Sequence, residues 1–142
     1  MEEMRVEGEP KCVMVLDGEL PAGLLANTAG VLSVTLGRRV ADILGPDVQD
    51  VAGESHVGLT KLPMPVLRAT AEEVREIRSR ATSLEGVFTV DVTDAAQSSK
   101  NYEDYERKIS ATAPEDLQYL GVALYGKKRP INRLTGSLSL LK

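Results

Sequence analysis

The chain has 142 residues, 42% hydrophobic, 27% charged and 4% aromatic, with a formal net charge of -4; that length suits one hydrophobic core and is short for two. The charge gives no overall pull towards phosphate or anionic lipid, so nucleic-acid binding needs a local basic patch, and with no Trp the core falls to Leu, Val, Ala and Ile. A single cysteine, Cys12, excludes an internal disulfide, and with one histidine, His56, a zinc site of the usual ligands cannot be assembled within one chain; no metal and no cofactor is expected.

Residues 1–10 are acidic and lack the basic and apolar regions of a secretory signal. The simple reading is a flexible start, a cytoplasmic setting and one domain over 11–142. Lys-Cys-Val-Met-Val-Leu at 11–16 suits a strand buried on both faces. From Pro21 to Leu44, Leu25, Leu32, Leu36, Val40 and Ile43 recur at near-helical spacing, and Gly45-Pro46 supplies a stop. Pro21, Asn27, Thr28, Ser33 and Thr35 interrupt the apolar run, which is too short for a membrane span. Residues 47–65, with Gly53, Gly58, Pro63 and Pro65, read as loop with short extended pieces, followed by a strand at 65–69.

Thr70 and Glu73 form a capping-box pattern ahead of the stripe Val74, Ile77, Ala81 and Leu84. Gly86 to Val92 reads as another buried strand, with Asp94 just past its carboxyl end. A helix capped by Asn101 turns Tyr105 and Ile109 inward, and Thr112 with Glu115 repeats the capping pattern around Pro114. Residues 117–126 form a fourth strand; Pro130 and Ile131 begin a short helix, and the leucines at 138–141 close the core as an edge strand or extended tail. Strands alternating with helices predict an α/β, single-domain, three-layer fold with a sheet of about four strands between helices.

Residues 11–20 and 131–141 resemble the opening strand and closing segment of the type-two peptidyl-tRNA hydrolases, where a Thr-Gly turn precedes a terminal strand of alternating leucines; here Asn132, Arg133, Thr135, Gly136, Leu138 and Leu141 occupy the pattern. The stretches 12–32, 58–69, 101–105 and 119–138 are similar to a bacterial family numbered two thousand among domains of unknown function, which shares this fold. The resemblance implies a mixed sheet of the peptidyl-tRNA hydrolase II-like kind. It places Lys11 at the hydrolases' first-strand lysine and Glu19 at their aspartate before leucine. Where the hydrolases carry Gly-Lys and then a histidine two turns later, this chain has Gly23-Leu24 and Val31. Their Asp-Ala-Gly-Arg-Thr element is met by Asp94 and Ala95, then by Ala96, Gln97 and Ser98. Ester hydrolysis needs an activated water and oxyanion stabilisation, and the replaced polar groups argue against authentic peptidyl-tRNA hydrolysis.

Asp94 is the first candidate catalytic residue, because ligands of open α/β sheets bind beyond the carboxyl ends of strands; its structural alternative is a cap or turn residue. Lys11 either offers a cation to an anion or solubilises a strand. Asn27, on the first helix within the region the resemblance assigns to the hydrolase cleft, anchors a ligand or satisfies a loop; Glu19 and Thr135 join it as ligand-binding candidates. His56 is a proton carrier or plain surface. The run Lys127, Lys128, Arg129 and Arg133 binds phosphate or starts a solvated helix. Cys12 is a small buried hydrophobe.

Three functions compete. One is a binding module for a small polar ligand at Asn27 and Asp94. The second is a hydrolase of a peptidyl-tRNA-like or other ester or amide substrate, with Asp94 orienting water and Lys11 stabilising negative charge; the net charge disfavours tRNA as a partner. The third is a homodimeric interaction protein acting through Tyr102 and Tyr105.

Overall fold

The computed structural model of the chain describes residues 2–142. Its centre is β1 (Pro10–Asp17), whose residues from Cys12 to Asp17 are all buried, as the uninterrupted apolar run requires of a strand covered on both faces. On one side β1 pairs in parallel with β4 (Val66–Ala69), and on the other antiparallel with β6 (Tyr119–Lys127), which in turn pairs antiparallel with β5 (Val87–Thr93). The order β4-β1-β6-β5 makes a mixed four-stranded sheet in which β1, β4 and β5 all end at the same side of the molecule.

Alternation along β1 sends its side chains to two cores. Cys12, Met14 and Leu16 pack with Leu32 and Leu36 of α1 (Ala22–Arg39) on one face, while Val13 and Val15 pack with Val74 and Ile77 of α2 (Ala71–Thr82) and Ile131 of α5 (Lys128–Thr135) on the other. The result is the expected three layers. Leu32 and Leu36 are fully buried, each worth about 2 kcal/mol. The Thr70 capping box forms as read: the Glu73 N–H donates to Thr70 Oγ1 at 3.1 Å and the Thr70 N–H to Glu73 Oε1 at 2.9 Å.

Leu120 and Gly121 interrupt the alternation of β6, because the register with β5 slips between Val92 and Thr93 and both residues then face α1. A Cβ at position 121 would lie 2.5 Å from Leu16 Cδ2 and 2.9 Å from Thr28 Cγ2. Only glycine fits a bulge seated this close to a helix.

Three expectations need correction, and a fourth is sharpened. Helix α1 stops at Arg39 rather than Leu44, because Val40 turns extended and bridges to Met4, with the Ala41 N–H donating to the Met4 carbonyl at 3.0 Å. The short extended pieces read within the loop at 47–65 are present and pair with each other as a two-stranded arm: one antiparallel register runs from Leu44↔Thr60 to β2 (Val48–Gln49) with β3 (Ser55–His56), and Gly53, at φ +83°, closes its tip. The second capping pattern starts no helix: the Thr112 hydroxyl donates back to the Lys108 carbonyl at 2.6 Å, leaving a single 3-10 turn at Pro114–Asp116. Between β5 and that turn lie α3 (Asp94–Gln97) and α4 (Tyr102–Ser110); α4 has no fully buried residue, so Tyr105 and Ile109 turn only partly inward.

The closing leucines form a tail along β4, where the Arg68 N–H donates to the Ser139 carbonyl at 2.8 Å and the Leu141 N–H to the Val66 carbonyl at 2.9 Å. No helix among the described residues is long and apolar enough to cross a membrane.

Candidate functional site

The topology separates the two residues paired in the hydrolase reading. Lys11 lies opposite Gly126 at the start of β1, whereas Asp94 follows Thr93, which lies opposite Tyr119. The seven residue steps of β6 from Tyr119 to Gly126 put them about 20 Å apart. Lys11 donates from Nζ to Asn132 Oδ1 at 2.5 Å, tying an interior strand to α5. Asp94 starts α3, and its Oδ1 accepts the Gln118 N–H at 3.1 Å while its own N–H donates to the Gln118 carbonyl at 2.9 Å.

The other candidates disperse too. Glu19 is exposed and pairs with Arg68 at 2.9 Å. Thr135 is buried, its hydroxyl donating to the Ile131 carbonyl at 2.9 Å inside α5. His56 sits on the arm with its Nε2 2.9 Å from Asp50 Oδ2. Lys127, Lys128 and Arg129 are exposed at the start of α5, but Lys128 bonds Glu9 at 3.3 Å, and Glu7 and Glu85 line the same hollow as Arg5 and Lys127. Asn27 is exposed on the second turn of α1, beside the buried Thr28 that stands over Gly121, and so at the same end of the sheet as Asp94.

What the fold builds near that end is a groove of about 470 Å³ between α1, β5 and α4. Val31, Val90, Val92, Ala96, Tyr102 and Tyr105 make most of its wall. Val31 lies one turn beyond Asn27, off the buried stripe of Thr28, Leu32 and Leu36, and keeps 45% of its surface exposed. Tyr102, 71% exposed, meets Tyr105 edge-on with ring centroids 5.5 Å apart. Burial, with Asp91 and Tyr102 nearby, raises the Tyr105 hydroxyl above its ordinary pKa, so it stays a neutral phenol.

Polar groups gather where α3 gives way to α4. Lys100 and Asn101 border the groove; Asn101 Oδ1 accepts the Asp104 N–H at 2.8 Å as the helix cap, which orients its amide. Asp91 borders the groove from β5, with its carboxylate turned towards α2 and held by Arg78 Nε at 3.2 Å. No histidine or cysteine lines the groove. Its chemistry is therefore an apolar trough bordered by the Lys100 cation, the Asn101 amide, the phenols of Tyr102 and Tyr105 and the hydroxyls of Thr35 and Ser99, a make-up that suits a small-molecule site.

The resemblance set Val31 at the hydrolases' histidine position but named neither it nor Val90 as a site residue, and part of the signal was available: Val31 and Thr35 share a spacing of four residues outside the stripe of Leu32 and Leu36. Sequence reasoning also passed over three buried polar groups at the carboxyl end of the sheet. Asp17 is 5% exposed and its Oδ1 accepts the Glu19 N–H at 3.0 Å; the hydroxyls of Thr28 and Thr93 have no partner among the described residues.

A family model described as protein of unknown function (DUF2000) matches residues 10–142. No curated protein matches the chain. The solved structure of a protein of unknown function from Agrobacterium tumefaciens strain C58 is similar to it, with a TM-score of 0.85 over 94% of this chain and 98% of that one; at 19% identity the likeness concerns the fold.

Proposed function

We propose that this chain, which belongs to the DUF2000 family of proteins of unknown function, is a small-ligand-binding module whose site is the groove between α1, β5 and α4. The observation that carries the reading is the pairing of unburied apolar side chains, Val31 and Tyr102, across a hollow of about 470 Å³ bordered by Lys100 and Asn101. Exposed apolar walls around a few polar groups favour a ligand with an apolar body and an anionic or hydrogen-bond-accepting end. Asn27 offers its amide one turn from Val31, and Asp94 begins the helix whose Ala96 lines the wall.

A peptidyl-tRNA hydrolase II-like fold belongs to the same reading. It is supported by the Thr135-Gly136 turn that ends α5 ahead of the leucine tail, and by Val31, which lines the groove where the hydrolases carry their histidine. Hydrocarbon at that position favours binding over hydrolysis. A cytoplasmic setting fits the single, buried Cys12.

The test uses anilinonaphthalene sulfonate, an apolar probe with an anionic end. Native protein is expected to bind it saturably with enhanced fluorescence, and Val31→Lys, at an exposed position, weakens binding about tenfold while the circular dichroism stays native. Non-saturable binding, or a Val31→Lys variant that binds as well as the parent, would overturn the reading.

A further inference from the structure

The ladder between β1 and β4 begins only at Met14, opposite Val66. The chain enters β4 through Leu62-Pro63-Met64-Pro65, and Pro65 has no N–H to carry the pairing back towards Pro10. Where the ladder stops, a cavity of about 320 Å³ opens between the start of β1, this proline segment and the start of α5. Leu62, Pro63 and Pro65 give it an apolar wall, and Glu9, Lys11 and Lys128 bring its charges.

Those charges do not balance. Lys128 and Asn132 stand four residues apart on α5, and so one turn apart on the same face. By donating to Asn132 Oδ1 at 2.5 Å, Lys11 brings its ammonium to that face, one turn along from Lys128. Among the described residues, Glu9 is the one carboxylate that lines the cavity, and it pairs with Lys128 at 3.3 Å. Lys11, which is partly buried, has no ion pair among the described residues. A charge drawn out of water is normally paired, and the amide that holds this one is neutral.

We infer that the cavity is a second binding site, for a small monocarboxylate with an apolar body. The headgroup sits between Lys11 and Lys128, and the body lies against Leu62, Pro63 and Pro65. One unpaired ammonium matches one negative charge, whereas an amine would add to the excess of cation. A wall of prolines offers no backbone donor and matches hydrocarbon, and the volume is at the small end of ligand pockets. The inference does not rest on the groove, which borders β5 at the opposite edge of the sheet; either site can fail alone.

The test is amide NMR of the full chain titrated with octanoate, butyrate and octylamine. Octanoate is expected to shift the Lys11, Leu62 and Lys128 amides saturably and to bind at least about tenfold tighter than butyrate, as its added methylenes leave water. Octylamine should leave those amides unmoved. Lys11→Met keeps the aliphatic stem and should weaken octanoate at least about tenfold. Asn132→Asp keeps Lys11 tied to α5 but gives it an internal carboxylate, and should weaken octanoate as much; this variant decides if Lys11→Met fails to fold. A Lys11 that only ties β1 to α5 predicts unchanged binding in Asn132→Asp, and that result overturns the proposal. So do shifts that never saturate, shifts confined to groove residues such as Val31 and Tyr102, or octylamine binding here as tightly as octanoate. Shifts at the groove bear on the groove's ligand alone.

Discussion

Asp94 and Gln118 hold each other across the end of the sheet, the Asp94 carboxylate accepting the Gln118 N–H at 3.1 Å and the Gln118 carbonyl accepting the Asp94 N–H at 2.9 Å. The side-chain half of this clamp fixes the entry of β6 against the start of α3. Asp94→Ala removes one exposed hydrogen bond, so a loss of about 1 kcal/mol is expected, read as a fall of about 3 °C in melting temperature. Asp94→Asn keeps an acceptor oxygen and should recover most of it. An alanine variant that melts with the parent would show that the clamp contributes nothing.

Gly121 gives a larger effect. The bulge makes Leu120 and Gly121 face the same helix, and a methyl at 121 would be driven into Leu16 and into Thr28, both fully or almost fully buried. Gly121→Ala is expected to cost about 2 kcal/mol in urea unfolding, as overpacking of a tight core does. If the variant instead matches the parent, α1 must yield at Thr28 more easily than its packing implies.

Much of this architecture was legible because local chemistry and tertiary structure agree. The Thr70 box, the Asn101 cap and the apolar runs of β1 and β6 satisfy their own backbone groups or bury on both faces, so no distant contact has to intervene; β5, read as equally buried, is an edge strand whose first five residues are only partly buried. Where a distant contact decides, the sequence was silent. Val40 leaves its helix because Met4, far off in the chain, offers a bridge, and the arm at 44–60 keeps its register without a core to announce it. The separation of Lys11 from Asp94 was hidden for the same reason. Lys11 and Asp94 each stand at a strand end, but an antiparallel β6 decides which end, and no local pattern encodes that strand order. The groove was not legible because its far wall comes from Tyr102 and Tyr105 on α4, whose placement beside Val31 and Val90 no local pattern encodes.

Asp50 organises the tip of the arm. Its Oδ2 meets His56, and its Oδ1 accepts the Ala52 N–H at 2.9 Å and the Glu54 N–H at 3.1 Å. The His56 bond first, and the backbone bonds after it, hold the carboxyl below the ordinary aspartate value. A depressed carboxyl pKa contributes stability above the unfolded value of about 3.9 and loses it as pH falls through the lower folded value. Carbon-detected titration should therefore place the Asp50 midpoint below 3.9, and His56→Ala should move it upward. A midpoint at the ordinary value in the parent would mean that the arm's tip opens in solution.

Cys12 offers a probe of the interior that leaves the surface untouched. It lies with no exposed surface between Met14 and Tyr125 on the α1 side of β1, and burial alone pushes its thiol up to about 11. The thiolate is the reacting species, so at mildly alkaline pH the folded chain presents almost none of it and no path to reach it. A disulfide reagent is expected to label Cys12 only as fast as the chain opens, and at once in denaturant. Gly121→Ala, by destabilising the same α1 layer, should speed the labelling by about the factor that its loss of stability predicts, tenfold for each 1.4 kcal/mol or so. Rapid labelling of the native parent would instead place a local opening at the start of β1, and the variant would then leave the rate unchanged.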